Sequence, residues 1–227
     1  MRSFRLFLLV SVIVLTAGFG VLECRAQEYS ADEYKSDIRA ALGADDYSKA
    51  IEICENAIKE YPNDANFWYY EGFALAEKGS FKEAEKAYDA ANKLKPFRFK
   101  KVEFKTEKAQ ELFYLGKDVR SSNPDLSIEY FLKCNELEPD NPAGLHEIAI
   151  AYYIYKKDDL KSIGYLRKAI SLDPDGMSLI NIPFLYHATR DYKRALFYFN
   201  LTHRLAPTFN TKIVEEGIVD CEENLGL

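Results

Sequence analysis

The chain has 227 residues, of which 48% are hydrophobic and 14% aromatic, and its formal net charge at pH 7 is −6. This composition is sufficient to bury a core, either in one compact domain or in an elongated array. The acidic balance argues against nucleic acid as a partner and gives no support for contact with an anionic membrane surface.

The first 26 residues have the order and chemistry of an export signal. Two arginines within residues 1–5 precede a run of 17 uncharged residues, 6–22, and Ala26 offers a small side chain for cleavage. We therefore predict a signal peptide over residues 1–26 that is removed after Ala26. The expected location is outside the cytoplasm, in the periplasm or cell envelope if the source is a bacterium.

Two alternatives remain open for this N-terminal segment. An apolar run of 17 residues lies at the lower limit for a bilayer-spanning helix, so the segment also fits an uncleaved anchor. The sequence VLEC, ending at Cys24, resembles a bacterial lipobox, although Glu23 stands where that pattern has a small residue. In either case residues 1–24 would attach the protein to a membrane.

Five prolines divide the rest of the chain at nearly regular intervals. They are separated by 34, 43, 35 and 33 residues, and a period near 34 is a sign of stacked repeats. Each closes a similar phrase (EYP, LKP, LEP, LDP, LAP), where we expect a helix to end because proline cannot continue it. The prolines are Pro62, Pro96, Pro139, Pro174 and Pro207.

Residues 65–96 carry the most specific pattern. A row of apolar and small residues at helical spacing on one helix is followed by a matching row on the next. Two helices of a hairpin need such rows to pack against each other. The nine residues that form this pattern are Trp68, Gly72, Leu75, Gly79, Phe81, Ala84, Tyr88, Ala91 and Pro96. All nine stand where the tetratricopeptide repeat motif has those residue types, and the chain resembles that family over roughly residues 31–224.

The resemblance implies an all-α fold, a right-handed superhelical array of helix-turn-helix units with a C-terminal capping helix. Units 1 and 2 are expected over residues 31–96 and units 3 to 5 over residues 108–207, with the capping helix over residues 208–227. A single hairpin cannot bury its apolar stripe alone, so successive units are expected to stack. The buried stripes include Cys54 and Cys134, which we interpret as small core residues.

A basic and aromatic insertion over residues 97–107 interrupts the array after its second unit. Two interpretations remain open: a longer first helix of unit 3 with solvated lysines, or a contact surface for an acidic partner or lipid headgroups. The contact residues of this second interpretation are Arg98, Lys100, Lys101 and Lys105.

A partner-binding groove is predicted from the first helix of each unit. Tyr69 and Phe73 lie about 100° around their helix from the stripe through Trp68, and in the family the corresponding positions face the inner surface of the superhelix. The predicted groove residues are Lys35, Arg39, Tyr69, Phe73, Phe113, Lys117, Tyr153, Phe184 and His187, and the same offset also selects His146, Ile150 and Ile180. The alternative is that these aromatic side chains are covered by neighbouring repeats.

No catalytic or cofactor-binding motif accompanies the repeats. The three histidines have no metal-ligand spacing, and the sequence has no nucleophile elbow and no phosphate-binding glycine loop. We therefore expect no enzyme activity and no cofactor.

The favoured function is a protein-interaction scaffold or adaptor of the cell envelope or secretory space, which binds an extended or helical segment of another protein. The alternative is a small-molecule or lipid-binding accessory protein that works with an envelope transporter. Self-association into a homo-oligomer is the third hypothesis. Membrane contact is expected only through the N-terminal segment.

Overall fold

The computed structural model describes residues 29–227, and every regular element in this range is helical. The predicted signal peptide and lipobox lie outside the described residues. The helices are α1 (Ala31–Gly43), α2 (Tyr47–Glu60), α3 (Ala65–Lys78), α4 (Phe81–Leu94), α5 (Glu107–Val119), α6 (Pro124–Leu137), α7 (Pro142–Ala151), α8 (Asp159–Leu172), α9 (Met177–Ala188), α10 (Tyr192–Leu205) and α11 (Thr211–Leu225). A π-helical turn, Tyr152–Lys156, extends α7. Among these described helices none is long and apolar enough to span a bilayer.

Local signals begin and end many of the helices. Ser30 and Glu33 form a capping box at the start of α1. Asn123 and Asn141 cap α6 and α7, each followed by a proline in the first turn, where its missing N–H costs no helical hydrogen bond. Gly79 ends α3 with φ of 87°, a conformation that glycine adopts without steric cost.

The helices pair as five successive hairpins, and α11 packs on α10 as a final capping helix. Within two of the hairpins a glycine allows the close approach. A Cβ atom on Gly72 would lie 2.9 Å from the Tyr88 ring, and one on Gly116 would lie 2.7 Å from the Phe131 ring. The predicted all-α array of helix-turn-helix units with a C-terminal capping helix is confirmed.

The stack is interrupted between α4 and α5, which do not pack against each other. Residues 97–106, here called the strap, connect them without helix or strand. The interpretation of this stretch as a longer first helix is wrong. The Glu138 carboxylate accepts hydrogen bonds from the backbone N–H groups of Lys105 and Thr106, and the Thr106 hydroxyl caps α5 instead.

The chain folds back on itself beyond this interruption. We call α1–α4 the N-terminal half and α5–α11 the C-terminal half. Instead of stacking on α5, the N-terminal half docks on the later units: α1 packs against α8, while α3 and α4 pack against α10. One hydrophobic core therefore runs through both halves, and a second core lies around Phe113 and Phe131 in the third unit.

The cysteines behave as core residues. Cys54, Cys134 and Cys221 are free and buried, and burial raises the pKa of Cys134 to about 11. A thiol in this environment stays protonated and unreactive at neutral pH. The prediction that Cys54 and Cys134 belong to the core is confirmed.

Candidate functional site

Tyr69 and Phe73, the central residues of the predicted groove, are buried, with exposures of 0% and 1%. The Tyr69 ring packs 6.1 Å from the Tyr88 ring, and its hydroxyl donates a hydrogen bond to the Lys95 carbonyl at 3.2 Å. The expectation that these two side chains line an open groove is therefore wrong. Tyr69 is covered by α4 of its own hairpin, and Phe73 belongs to the hydrophobic core that runs through both halves.

The centre of this docking interface is Glu77, whose side chain has no exposure. Its carboxylate accepts hydrogen bonds from the hydroxyls of Tyr186 at 2.6 Å and Tyr198 at 2.9 Å, and it pairs with Arg167 at 2.6 Å. Arg194 donates to the Glu77 backbone carbonyl at 2.5 Å. A buried carboxylate is tolerated here because several donors compensate the loss of water.

The predicted cations of the first helix are also engaged within the protein. Lys35 pairs with Asp64 at 2.8 Å and lies 5.4 Å from the Phe67 ring centroid. Arg39 donates a hydrogen bond to the Tyr70 hydroxyl at 3.3 Å. Both side chains are half-buried, so they stabilise the N-terminal half rather than project from it.

The predicted residues of the fifth unit face the capping helix and α10. Phe184 packs against Phe199 with ring centroids 5.1 Å apart, and His187 Nε2 lies 2.5 Å from the Asp220 carboxylate on α11. Tyr153 is half-buried, and burial raises its pKa. The predicted groove residues thus lie in separate parts of the fold and do not form one surface.

Of the residues selected for the groove, Phe113 and His146 line a cleft, and Lys117 is exposed beside Phe113. Phe113 lines a cleft of about 530 Å³ between the strap and the first helices of units 3 to 5. Lys117 follows it on α5, with its ammonium 5.6 Å from the Phe113 ring centroid and 3.7 Å from the Glu147 carboxylate. We call this space the strap cleft. The side chains that define its chemistry are Val102, Phe104, Phe113, His146, Met177 and Ser178.

One end of the strap is held by two aspartates of the loop between α8 and α9. Lys100 pairs with both Asp173 and Asp175, and Lys95 pairs with Asp175 at 2.8 Å. Burial alone would raise the pKa of Asp175, but Lys100 and Lys95 lower it to about 2. Asp175 is therefore ionised at any pH near neutrality and pairs with both lysines.

The other end of the strap is held by side chains that bind its backbone. The Glu138 carboxylate accepts from the amides of Lys105 at 2.8 Å and Thr106 at 2.9 Å, and Asn141 Nδ2 donates to the Glu103 carbonyl at 2.9 Å. Burial would raise the pKa of Glu138, but hydrogen bonds from Asn141, Thr106 and Lys105 outweigh burial and lower it. Units 3 and 4 thus hold a non-helical chain segment through its main chain.

His146 lines the cleft as a neutral imidazole. Its Nδ1 lies 3.0 Å from the Ser178 hydroxyl, and within the described range its Nε2 makes no hydrogen bond. Burial, together with the positive charges of Arg120 and Lys117, lowers its pKa to about 4. At neutral pH the ring therefore offers an uncharged polar group beside the apolar side chains.

Not all basic residues of the strap are free to contact an acidic partner. Lys100 is neutralised by the two aspartates, whereas Arg98, Lys101 and Lys105 are exposed and form no ion pair within residues 29–227. Acidic side chains line the cleft as well, including Glu103. A uniformly basic contact for an acidic partner therefore has weak support, and binding at these four residues stays a prediction.

Sequence reasoning missed the acidic residues that hold the strap. Glu138 and Asp173 each stand directly before the proline that closes a repeat, in the phrases LEP and LDP. The two acidic residues could have been found by aligning the repeats. Such an alignment shows that both stand at the same place in successive units, where they could pair with the basic insertion. Across the described residues no cluster of histidine, cysteine or carboxylate side chains is arranged to hold a metal ion.

Comparison with known proteins agrees with this architecture. Residues 38–98 match the family model described as tetratricopeptide repeat. A TPR repeat-containing protein of Pseudomonas aeruginosa is 29% identical over 151 residues, which is 65% of this chain and 24% of the relative. The chain therefore spans about a quarter of the length of that relative.

Two solved structures have a similar course of the chain. YrrB, described as a TPR protein with an unusual peptide-binding site, is 14% identical with a TM-score of 0.42, and the match covers 84% of this chain and 93% of YrrB. The TPR2AB domain of yeast Sti1 in complex with pHSP90 is 15% identical with a TM-score of 0.44, covering 88% of this chain and 87% of the domain.

The family match covers most of the first two units, and the glycine-to-aromatic contact of the second unit recurs in the third unit and between Gly217 of α11 and Phe199 of α10. Stacked helical repeats create extended surfaces that such proteins use for binding. Over residues 38–98 the chain matches the tetratricopeptide repeat family.

Proposed function

We propose that the protein is an exported, non-catalytic scaffold that holds a non-helical segment of another protein in the strap cleft. The observation that carries the proposal is the way in which units 3 and 4 hold the strap. Glu138 and Asn141 bind the strap's own backbone amides and carbonyl. A second segment laid alongside the strap would meet the polar groups of the cleft that the strap does not use, including His146 Nε2.

The lining of the cleft supports one apolar anchor in that segment. Phe104 and Phe113 pack with ring centroids 5.0 Å apart, and Met177 lines the same cleft. Aromatic and methionine side chains bury large areas of a ligand at low conformational cost. The neutral imidazole of His146 provides a hydrogen-bonding group for the main chain of the bound segment.

A small-molecule or lipid ligand is the second candidate, and one observation favours it. The cleft volume of about 530 Å³ lies within the range of small-ligand sites. The strap would then act as one wall of an enclosed site in an accessory protein beside an envelope transporter. The experiment below separates the two candidates by the chemical nature of what is bound.

Export is the third part of the proposal. It is supported by the signal-like order of residues 1–26. Fractionation of the native cells, with mass determination of the protein's N-terminus, distinguishes the three fates of that segment. A mature chain beginning at Gln27 indicates cleavage, acylated Cys24 indicates a lipoprotein, and an intact N-terminus in the membrane fraction indicates an anchor.

The binding proposal is tested by site-specific photocrosslinking in the native compartment. Val102, 41% exposed within the cleft, is replaced by benzoylphenylalanine, and Leu160, 78% exposed on α8, receives the same replacement as the matched control. We expect position 102 and not position 160 to crosslink one polypeptide segment. A synthetic peptide of that segment should bind the wild-type chain and lose at least tenfold in affinity to Val102→Glu, with Leu160→Glu unchanged.

The other outcomes decide against the proposal in different ways. A crosslinked lipid or small metabolite at position 102 supports the accessory-protein function. Equal labelling at both positions shows that the cleft has no special role. A peptide that binds Val102→Glu as well as the wild type places the binding site elsewhere.

A further inference from the structure

The strap follows an extended course that its attachments hold in place. Residues 96–104 run without a helix, turn or bend. The Phe99 ring packs against the Phe209 ring with centroids 5.9 Å apart, and Lys100 pairs with two aspartates of the loop between α8 and α9. At the other end the backbone N–H of Lys105 donates to a carboxylate of unit 3. The chain between these attachments is therefore already fixed in the unbound protein.

The side chains of this stretch alternate as they do in a β-strand. Lys100 contacts the later units through its ion pairs, and Phe104 does so through the Phe113 ring, with centroids 5.0 Å apart. Lys101 and Glu103 are exposed, and their side chains make no ion pair or hydrogen bond within residues 29–227. Contacts at every second residue are the pattern of an extended strand.

One edge of the strap's backbone is already occupied. In an extended chain the N–H and C=O groups of one residue point to one edge, and those of the next residue point to the opposite edge. Asn141 Nδ2 donates to the Glu103 carbonyl at 2.9 Å. The Lys105 N–H donates to the Glu138 carboxylate at 2.8 Å. Because Glu103 and Lys105 are two residues apart, units 3 and 4 bind the strap along a single edge.

The opposite edge of the strap is free. It carries the backbone groups of Val102 and Phe104, whose N–H and C=O groups have no hydrogen-bond partner in the described part of the chain. Val102 is 41% exposed and lines the strap cleft, so a partner can reach this edge. A row of unpaired N–H and C=O groups on an extended segment is a template for pairing with another chain.

We infer that the partner segment binds as a β-strand that pairs with this free edge. The inference rests on the proposed function and adds how the segment is recognised. In an antiparallel arrangement the residue opposite Val102 exchanges two hydrogen bonds with it, and the residue opposite Phe104 does the same. The ligand is an extended segment and not a helix, because the backbone groups of a helix are already paired with one another.

The lining of the cleft adds a side-chain preference to this main-chain recognition. Every second side chain of the added strand faces the cleft, beside Val102, Phe104 and Met177. The preferred segment therefore alternates apolar and polar residues, with β-branched or aromatic side chains towards the cleft. Proline is excluded at the paired positions because it has no N–H. The fixed strap loses little conformational freedom on binding, which favours this arrangement.

A pair of proline variants of the full-length chain tests the free edge. Val102→Pro removes an N–H of the free edge, whereas Lys101→Pro removes an N–H of the other edge that makes no hydrogen bond within residues 29–227. Both prolines restrict the preceding residue to extended backbone, so the two variants are matched. The probe is the synthetic peptide of the segment that crosslinks to position 102. We expect Val102→Pro to weaken its binding about tenfold and Lys101→Pro to change it less than about twofold.

A scan of the peptide against the wild-type chain covers the case in which a proline variant misfolds. Each peptide residue in turn carries a backbone N-methyl group, which removes one hydrogen-bond donor. We expect the loss of affinity to alternate along the peptide, about tenfold at every second position and small in between. Hydrogen exchange followed by NMR should slow at the Val102 and Phe104 amides when the peptide is added, and should change little at Lys105.

The outcomes separate this inference from the proposed function. Equal binding to Val102→Pro and Lys101→Pro, together with N-methyl groups tolerated at every position, shows that side chains alone recognise the peptide. The inference then fails while the proposed function stands. A peptide that is helical when bound leads to the same conclusion. If position 102 crosslinks no polypeptide, the proposed function fails and the inference fails with it.

Discussion

Two glutamates of α3 show how partners, rather than burial alone, decide the state of a carboxylate. Glu77 is fully buried and compensated by two tyrosine hydroxyls and Arg167. Glu71 is half-buried and forms no ion pair within residues 29–227. Burial, with a smaller contribution from Glu55, raises its pKa from 4.5 to about 7.

Glu71 is therefore expected to make stability depend on pH. Its folded-state pKa lies above its unfolded value, so stability is fully present below pH 4.5 and declines as the pH rises towards 7. We expect Glu71→Gln to raise the free energy of unfolding by about 1 kcal/mol at pH 8, allowing for partial exposure to water, and to have no effect near pH 4.

Urea denaturation at the two pH values measures this effect. The exposed Glu52→Gln on α2, which does not contribute to the shift of Glu71, is the control and should change stability far less at both pH values. An equal gain in the free energy of unfolding at pH 4 and pH 8 would show that ionisation of Glu71 does not destabilise the folded state.

At the scale of the elements, hairpin geometry depends on glycines at particular sites. Gly72 faces the Tyr88 ring, where an added Cβ would lie 2.9 Å away. Gly164 on α8 is exposed and has nothing within 4 Å of an added Cβ. Both glycines lie within helices, but only Gly72 allows two helices to approach closely.

Alanine at these two positions should change stability in opposite directions. Gly72→Ala is expected to destabilise the chain by about 1–3 kcal/mol, because the new methyl group overpacks the hairpin. Gly164→Ala should stabilise it by about 1 kcal/mol through helix propensity alone. Denaturant midpoints with unchanged m-values measure both, and a stabilising Gly72→Ala would contradict the close contact.

At the scale of the whole molecule, the docking of the two halves adds contacts between distant units to the stacking that the repeat pattern implies. The interface contains a buried pair, Glu77 with Arg167, and an exposed pair, Glu85 with Arg204. Removing one partner of a buried pair leaves an uncompensated charge, whereas an exposed pair contributes little.

Matched arginine variants test how the docking is held. Arg167→Met is expected to cost about 3 kcal/mol, and Arg204→Met at most about 1 kcal/mol. Hydrogen exchange should rise together in α3 and α10 for Arg167→Met, since both helices lose their docked surface. Exchange that rises in α8 alone would indicate a local defect and not a loosened interface.

The sequence by itself determined the helices, the repeat period, the resemblance to tetratricopeptide repeats and the close packing of the second hairpin. These features depend on residues near one another in the chain, such as Gly72 and Tyr88, and they leave a periodic signal. The place of the interruption was also visible, although its structure was predicted as helix or contact surface without a decision between them.

Only the tertiary structure decided where the binding surface lies. Tyr69 and Phe73 are buried in a core that runs through both halves, and the docking of the halves depends on contacts such as Glu77 with Tyr198, 121 residues apart. Contacts at this separation leave no local period in the sequence, because any part of the chain could supply the partner. The strap cleft likewise exists only because Glu138, Asn141, Asp173 and Asp175 hold the strap across two later units.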